Sequence, residues 1–338
     1  MASDGDGWKN YPRDIDLRRP SLGRWASVGY LVRLERLVRQ MRGYDVVQLI
    51  GPDFLPLRAE RIARYYRLLR QHNGSMFLGA FGMDRYYVEA CLDCTTFRYS
   101  DFNFGTTLRV SAENTQFVAD WLHGAKGRLN ARIAADCNGV VAGLYEYFAA
   151  YHKAFPQKLR FIPFPIVVPK ENSTQKPASQ AIRFFIGMMR DRSVYKGTDV
   201  MWRALQRVKE KYGDEVSVTK VENVPFAEYR RRLAGSDVLL DQLYSYTPAM
   251  NALEAMAQGL VVVGGGEPEN YDILGEDRLR PIINVQPNEQ SVFDALCTLV
   301  EHREALPRLQ RESREYIRRH HDHIKVAQRY LDFWNACL

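Results

Sequence analysis

From residue 28 to 41 apolar side chains recur at helical spacing (Val28, Leu31, Val32, Leu34, Leu37, Val38, Met41), with Arg33, Arg36 and Arg39 between them. This is an amphipathic helix, closed by Gly43. Tyr44 to Ile50 then reads as a buried strand. A second basic helix spans about Pro56 to His72, with Arg58, Arg61, Arg64, Arg67 and Arg70 three apart. The alternation continues with a strand over 75–80, a helix over 86–94 and further helices over 114–121 and 129–135. A strand and turn follow at 139–143, a helix at 145–153, and an extended stretch at 158–168 whose Pro163 and Pro165 suit a sheet edge. Residues 170–180 lack apolar periodicity and read as a linker. Beyond it come a strand (182–186), a helix (198–212), a strand (216–221), a helix (226–234) and a strand (237–241). The last elements are a strand at 281–285 and helices at 291–300, 303–318 and within 320–338. Strands alternating with helices predict an α/β fold with parallel sheets.

One unit is richer in chemistry. Thr247 followed by Pro248 is a helix start, because a Thr hydroxyl accepts an orphan N–H and proline suits the first helical position. The helix runs to Gln258, Gly259 stops it, and Leu260 to Val263 form a buried strand ending in Gly264, Gly265 and Gly266. Free backbone N–H groups near Ala249 and Met250, with the helix dipole, favour a phosphate there. Glu254, two turns in, can accept two ribose hydroxyls.

The order Glu254-Ala255-Met256-Ala257-Gln258-Gly259, then a strand and a glycine loop, resembles the donor-site signature of GT-B glycosyltransferases, in particular glycosyltransferase family 4. That family usually has a second Glu eight positions earlier, where this chain has Tyr246. A second match follows the linker: a strand at 182–186 running into a basic loop with Arg190, Arg192 and Lys196-Gly197. Family members place an Arg and a Lys-Gly there to hold the donor diphosphate. Two fixed cations stabilise the charge that gathers on the leaving group. The resemblance implies two Rossmann-like doubly wound domains, with residues 1–168 on the acceptor side and 169–180 as linker. It places a nucleotide-sugar domain at 181–320 and a helix at 321–338 crossing back. It further implies the nucleobase near Pro225, and retention of configuration without a metal. Lys196, Arg190 and Glu254 would carry the reaction. The donor would touch Arg192, Pro225, Tyr246, Thr247, Ala249, Met250, Asn251, Gly265, Gly266 and Glu267. No apolar strand with glycine turn precedes Asp4, so either the chain starts late or the first domain lacks its first strand.

Composition narrows the rest. Across 338 residues the formal charge is +7, and all of it lies in 1–168, with 23 basic against 16 acidic residues; the remainder balances, 24 against 24. Such charge could meet nucleic acid, an anionic membrane or a phosphate-bearing acceptor, but no nucleic-acid module accompanies it. The basic helices could instead lie on an anionic bilayer. No apolar run is long enough to span one and no signal peptide is present, which reads as cytoplasmic, with peripheral contact at the inner membrane face. Five irregularly spaced cysteines predict reduced structural thiols. His321 and His323 read as solvated. Asp84 and Arg85, after the strand at 75–80, are acceptor-side candidates or a surface ion pair, and the aromatic run 97–105 reads as a loop or lid beside the cleft.

The expected activity is transfer of a hexosyl group from a nucleotide-diphosphate sugar to a saccharide or lipid-linked acceptor, in polysaccharide or glycoconjugate synthesis, with no cofactor. A donor-binding protein without transferase activity and a nucleotide-sugar epimerase of the same fold are the alternatives.

Overall fold

The computed structural model describes residues 1–3, 5, 12–18, 23–169, 180–189 and 192–337, the side chains of 24–26 excepted. Arg190 and nearly all of the expected linker lie outside them. In the first half the elements are α1 (Arg24–Gln40), β1 (Val46–Leu49), α2 (Ala59–His72), β2 (Ser75–Ala80), α3 (Arg85–Leu92), α4 (Ala112–Val118), α5 (Ala125–Asp136), β3 (Gly139–Ala142), α6 (Tyr145–His152) and β4 (Leu159–Phe161). The second half holds β5 (Ile182–Met188), α7 (Ser193–Lys196), α8 (Thr198–Tyr212), β6 (Val216–Glu222), α9 (Phe226–Leu233), β7 (Val238–Leu240), α10 (Met250–Ala257), β8 (Val261–Gly264), α11 (Pro268–Asp272) and β9 (Ile283–Asn284). After these come α12 (Glu289–Glu301), α13 (Leu306–His320) and α14 (His323–Asn335).

Each half is built on a parallel sheet, as two Rossmann-like units require. Among the described residues the first sheet runs β1-β2-β3-β4, in chain order. Because side chains alternate across a strand, Met76, Leu78 and Ala80 of β2 face one way and Phe77 the other. The first set joins a core with Leu34 and Val38 of α1, Ile62 and Tyr66 of α2, Val88 of α3, Ile133 of α5 and Tyr151 of α6. The opposite face is covered from the far end of the chain: Val326 and Phe333 of α14 pack on Phe77, Val141 and Ile162. Gly139 makes this possible, since a Cβ there would lie 2.6 Å from the Phe333 ring.

The second sheet runs β6-β5-β7-β8-β9. Its order reverses at β5, so β5 and β7 flank a topological switch point, where ligands of open α/β sheets bind beyond the strand ends. Its two faces carry separate cores, one with α8 and α12, the other with α9, α10 and α13.

Several expectations are corrected. The strand at 44–50 is only β1, an edge strand, and Tyr44 and Ile50 are exposed. Val28 and Val32 lie on the outer side of α1 and are also exposed. Thr247 does not start α10; Ala249 occupies the cap position. His321 is not solvated but buried where the chain recrosses, its Nδ1 3.0 Å from the Phe164 carbonyl oxygen. Both crossings lie side by side there: the Ile166 N–H donates to the His321 carbonyl at 2.7 Å, and the His323 N–H to the Ile166 carbonyl at 3.1 Å.

Candidate functional site

β5 is a run of apolar, partly β-branched residues, and at its carboxyl end the chain turns through α7 to Lys196. Gly197, in the left-handed region at φ 72°, separates α7 from α8. A side chain at 197 would collide with Leu243 and Tyr244, at 2.6 and 2.9 Å. Glycine therefore lets the lysine turn sit tightly on the loop after β7, where the Leu243 N–H donates to the Lys196 carbonyl at 2.9 Å. Asp241 follows β7, and Asn251 of α10 donates to its carboxylate at 3.1 Å.

These groups line one cavity of about 840 Å³ at the switch point. Lys196, Asp241 and Asn251 are among its polar lining residues, with Arg230, and Met188, Pro225 and Tyr229 are among its apolar walls. The volume falls in the range that takes a whole small ligand. Burial raises the Asp241 carboxyl above its ordinary range, opposed by the Lys196 charge and the Asn251 hydrogen bond. The arrangement offers a cation to an anionic group, beside apolar walls.

The named candidates separate into three groups. Lys196, Pro225 and Asn251 line this cavity. Ala249 and Met250 open α10 with no side-chain cap, while Arg192 sits exposed at the start of α7. Glu254 is not among the lining residues but its charge reaches Tyr229, which is.

The second group lies in the seam between the halves. Tyr246 is 2% exposed; its ring packs against those of Phe97, Tyr99 and Tyr145, and its hydroxyl accepts from the Arg98 N–H at 2.6 Å. Its own N–H donates to Glu146 of α6 at 2.7 Å, and the Thr247 hydroxyl donates to the same carboxylate at 2.5 Å. Glu267 accepts from the Tyr99 hydroxyl at 2.7 Å and from Arg98 at 2.9 Å. Burial opposes its charge, but the hydrogen bonds from Tyr99 and Asn284 and the Arg98 guanidinium hold its carboxyl below the ordinary range. Arg98 also pairs with Glu269. Gly265 lies against Ser245, whose carbonyl oxygen would be 2.2 Å from an added Cβ, and the Gly266 N–H donates to Asn284 at 3.1 Å.

Asp84 and Arg85 form the third group and do not pair with each other. Asp84 is buried, caps α3 through the Tyr87 N–H at 2.9 Å and accepts from the Tyr151 hydroxyl at 2.6 Å. Burial raises its carboxyl to about 6. Arg85 pairs instead with Glu89, one turn on, at 2.7 Å. Asp84 does line a second cavity of about 380 Å³ beyond β1 and β2, with Asp53, Trp121 and Lys126.

Sequence reasoning missed Asp241 and Glu146, and held Arg98 only as part of the loop 97–105. Asp241 carried a signal, a polar residue at the carboxyl end of a buried strand. Glu146 carried none, since its partners lie 100 and 101 positions away.

No family model and no curated protein matches this chain. Solved structures match it in shape. Sucrose-phosphate synthase from Thermosynechococcus elongatus superposes with a TM-score of 0.62 at 14% identity, over 99% of this chain and 86% of its own. HepE of Anabaena, in complex with UDP-glucose, gives 0.59 at 10% identity over 93% and 84%. The lipopolysaccharide outer core galactosyltransferase WaaB gives 0.50 at 10% identity over 93% and 81%. At these identities the likeness is one of fold: two Rossmann-like units, the architecture of the GT-B glycosyltransferases.

Proposed function

We propose that the protein is a glycosyltransferase that moves a hexosyl group from a nucleotide-diphosphate sugar to a saccharide or lipid-linked acceptor, with retention of configuration. The observation that carries this is Lys196 beside an apolar cavity at the switch point, with the Ala249–Asn251 end of α10 close by. The nucleobase and ribose occupy the slot past Pro225, and the diphosphate meets Lys196. As the glycosidic bond breaks, negative charge collects on the diphosphate, and a fixed ammonium lowers the barrier by meeting that charge where it forms. Arg192 supplies a second cation from the start of α7. Glu254 accepts the ribose hydroxyls. The leaving phosphate takes the acceptor proton, so no side-chain base is assigned. UDP-glucose in HepE supports the donor class, and galactosyl transfer by WaaB supports hexosyl transfer.

The test is a thermal-shift titration with UDP, GDP, ADP and dTDP. A ligand that binds only the native state stabilises it, so one nucleotide should raise the melting temperature with concentration. No shift with any of the four, in a folded sample, would count against the donor site.

A second reading, donor binding without transfer, is favoured by one observation: Tyr246 stands where the resembled family has a carboxylate, and Glu267 is already engaged by Tyr99 and Arg98. Nucleotide binding with no turnover of any sugar nucleotide across an acceptor panel would select it.

A further inference from the structure

α7 is only four residues long and none of its side chains is buried, yet it carries the lysine on which the proposed site depends. Beyond the Leu243 N–H bond to the Lys196 carbonyl, it is held from the other half. The segment 97–109 follows α3, folds back on itself by pairing Asn103–Phe104 with Thr107–Leu108, and reaches the second half. There the Tyr195 hydroxyl of α7 donates to the Asp101 carboxylate at 2.8 Å. Arg109 donates to the Val194 carbonyl at 3.2 Å, with its guanidinium 3.8 Å over the Tyr244 ring. Phe117 of α4 stands 6.0 Å from the Tyr195 ring.

Asp101 is itself held firmly. Its carboxylate also accepts from the Tyr87 hydroxyl at 2.8 Å, and its carbonyl accepts from Arg109 and from Asn114, at 3.2 and 3.0 Å. The anchor is therefore rigid and belongs to the first core, whereas α7 has little packing of its own. A short helix with so few buried contacts opens locally unless something outside it closes it.

We infer that Asp101, acting through Tyr195, and Arg109, acting through the Val194 carbonyl, are positioning residues that hold α7 so that Lys196 points into the cavity at the switch point. The inference rests on the donor-site reading for its consequence, but the mechanical part stands apart from it. The segment 97–109 makes the diphosphate end of the site depend on the first half, while the apolar slot past Pro225 is built entirely by the second.

The test uses the full chain and Tyr195→Phe, which keeps the ring and loses the hydroxyl. In hydrogen–deuterium exchange, amides of 193–198 should exchange about tenfold faster in the variant, the loss expected for one hydrogen bond to a buried charged group. Thermal-shift titrations then compare a nucleoside diphosphate with its parent nucleoside. The variant should bind the diphosphate about tenfold more weakly and the nucleoside equally well, with the ligand-free melting temperature lowered by only about 2–5 °C. Asp101→Asn, which keeps an acceptor oxygen, should retain most of the binding that Asp101→Ala loses. Unchanged exchange at 193–198 overturns the inference whatever the nucleotides do. An equal loss for nucleoside and diphosphate also overturns it, because that is general loosening. If the unsubstituted chain binds neither, the donor-site reading falls, and the exchange measurement alone decides whether 97–109 holds α7.

Discussion

Lys196 gains its place from a glycine, a backbone bond and the hold of 97–109 on α7, so its side chain is free for chemistry. Removing the ammonium should not disturb the fold but should remove transition-state stabilisation of the leaving diphosphate. Lys196→Ala is expected to lower turnover by about 10²–10³. Glu254→Ala, which removes a charged acceptor for ribose hydroxyls, should lower donor turnover by about tenfold or more through a higher donor KM. Both are measured as release of nucleotide from the sugar nucleotide, and wild-type rates in either variant would take that residue out of the site. Asp84 makes the opposite point. Each of its oxygens already accepts a hydrogen bond, from the Tyr87 N–H and the Tyr151 hydroxyl, so the carboxylate that the sequence offers to an acceptor also caps α3.

At the scale of elements, helices and central strands follow from periodicity because a helix satisfies its own backbone and each element hides its own apolar stripe or run. Thr198–Tyr212 and Ser75–Ala80 have the observed bounds. The readings that failed depend on partners far away in sequence. Thr247 looks like a cap, but Glu146 takes its hydroxyl and the helix begins at Met250. Tyr246 looks like a vacancy in a motif, but it fills an aromatic seam with residues from 97 to 145. His321 looks like a solvated start of α14, but the paired crossings enclose it. Burial pushes its ring down to about 4, against the Phe164 hydrogen bond. The neutral ring is therefore favoured in the fold, with stability fully present above the unfolded value near 6.5 and lost as pH falls through 6.5 towards 4. His321→Asn should flatten that part of the stability curve, by a few kcal/mol at most, measured by urea unfolding at pH 7, 5.5 and 4.5. His320, also lowered by burial and bound to Glu276, stays in place, so an unaltered slope in the variant would assign the acid loss to it.

The whole molecule is two halves joined by the aromatic seam at Tyr246 and by polar contacts that differ in burial. Glu146 and Glu267 are almost inaccessible, while the Arg98 side chain is 55% exposed, so its ion pairs are screened on one side. Arg98→Met should cost roughly 1–2 kcal/mol, less than a fully buried pair. It should also separate the unfolding of the halves, seen as two transitions in calorimetry. A single transition at the original temperature would show that the remaining seam couples them without it. Phe333→Ala, at the contact between α14 and Phe77, should cost roughly 3 kcal/mol and lower the melting temperature of the first half. Chain order gives this contact a further consequence. During synthesis β4 leaves the ribosome well ahead of α14, by roughly ten to thirty seconds at ordinary elongation rates. Through that interval Phe77, Val141 and Ile162 have no cover of their own, so the first half should be the part of the nascent chain that chaperones hold, and release from them should wait for the last helix.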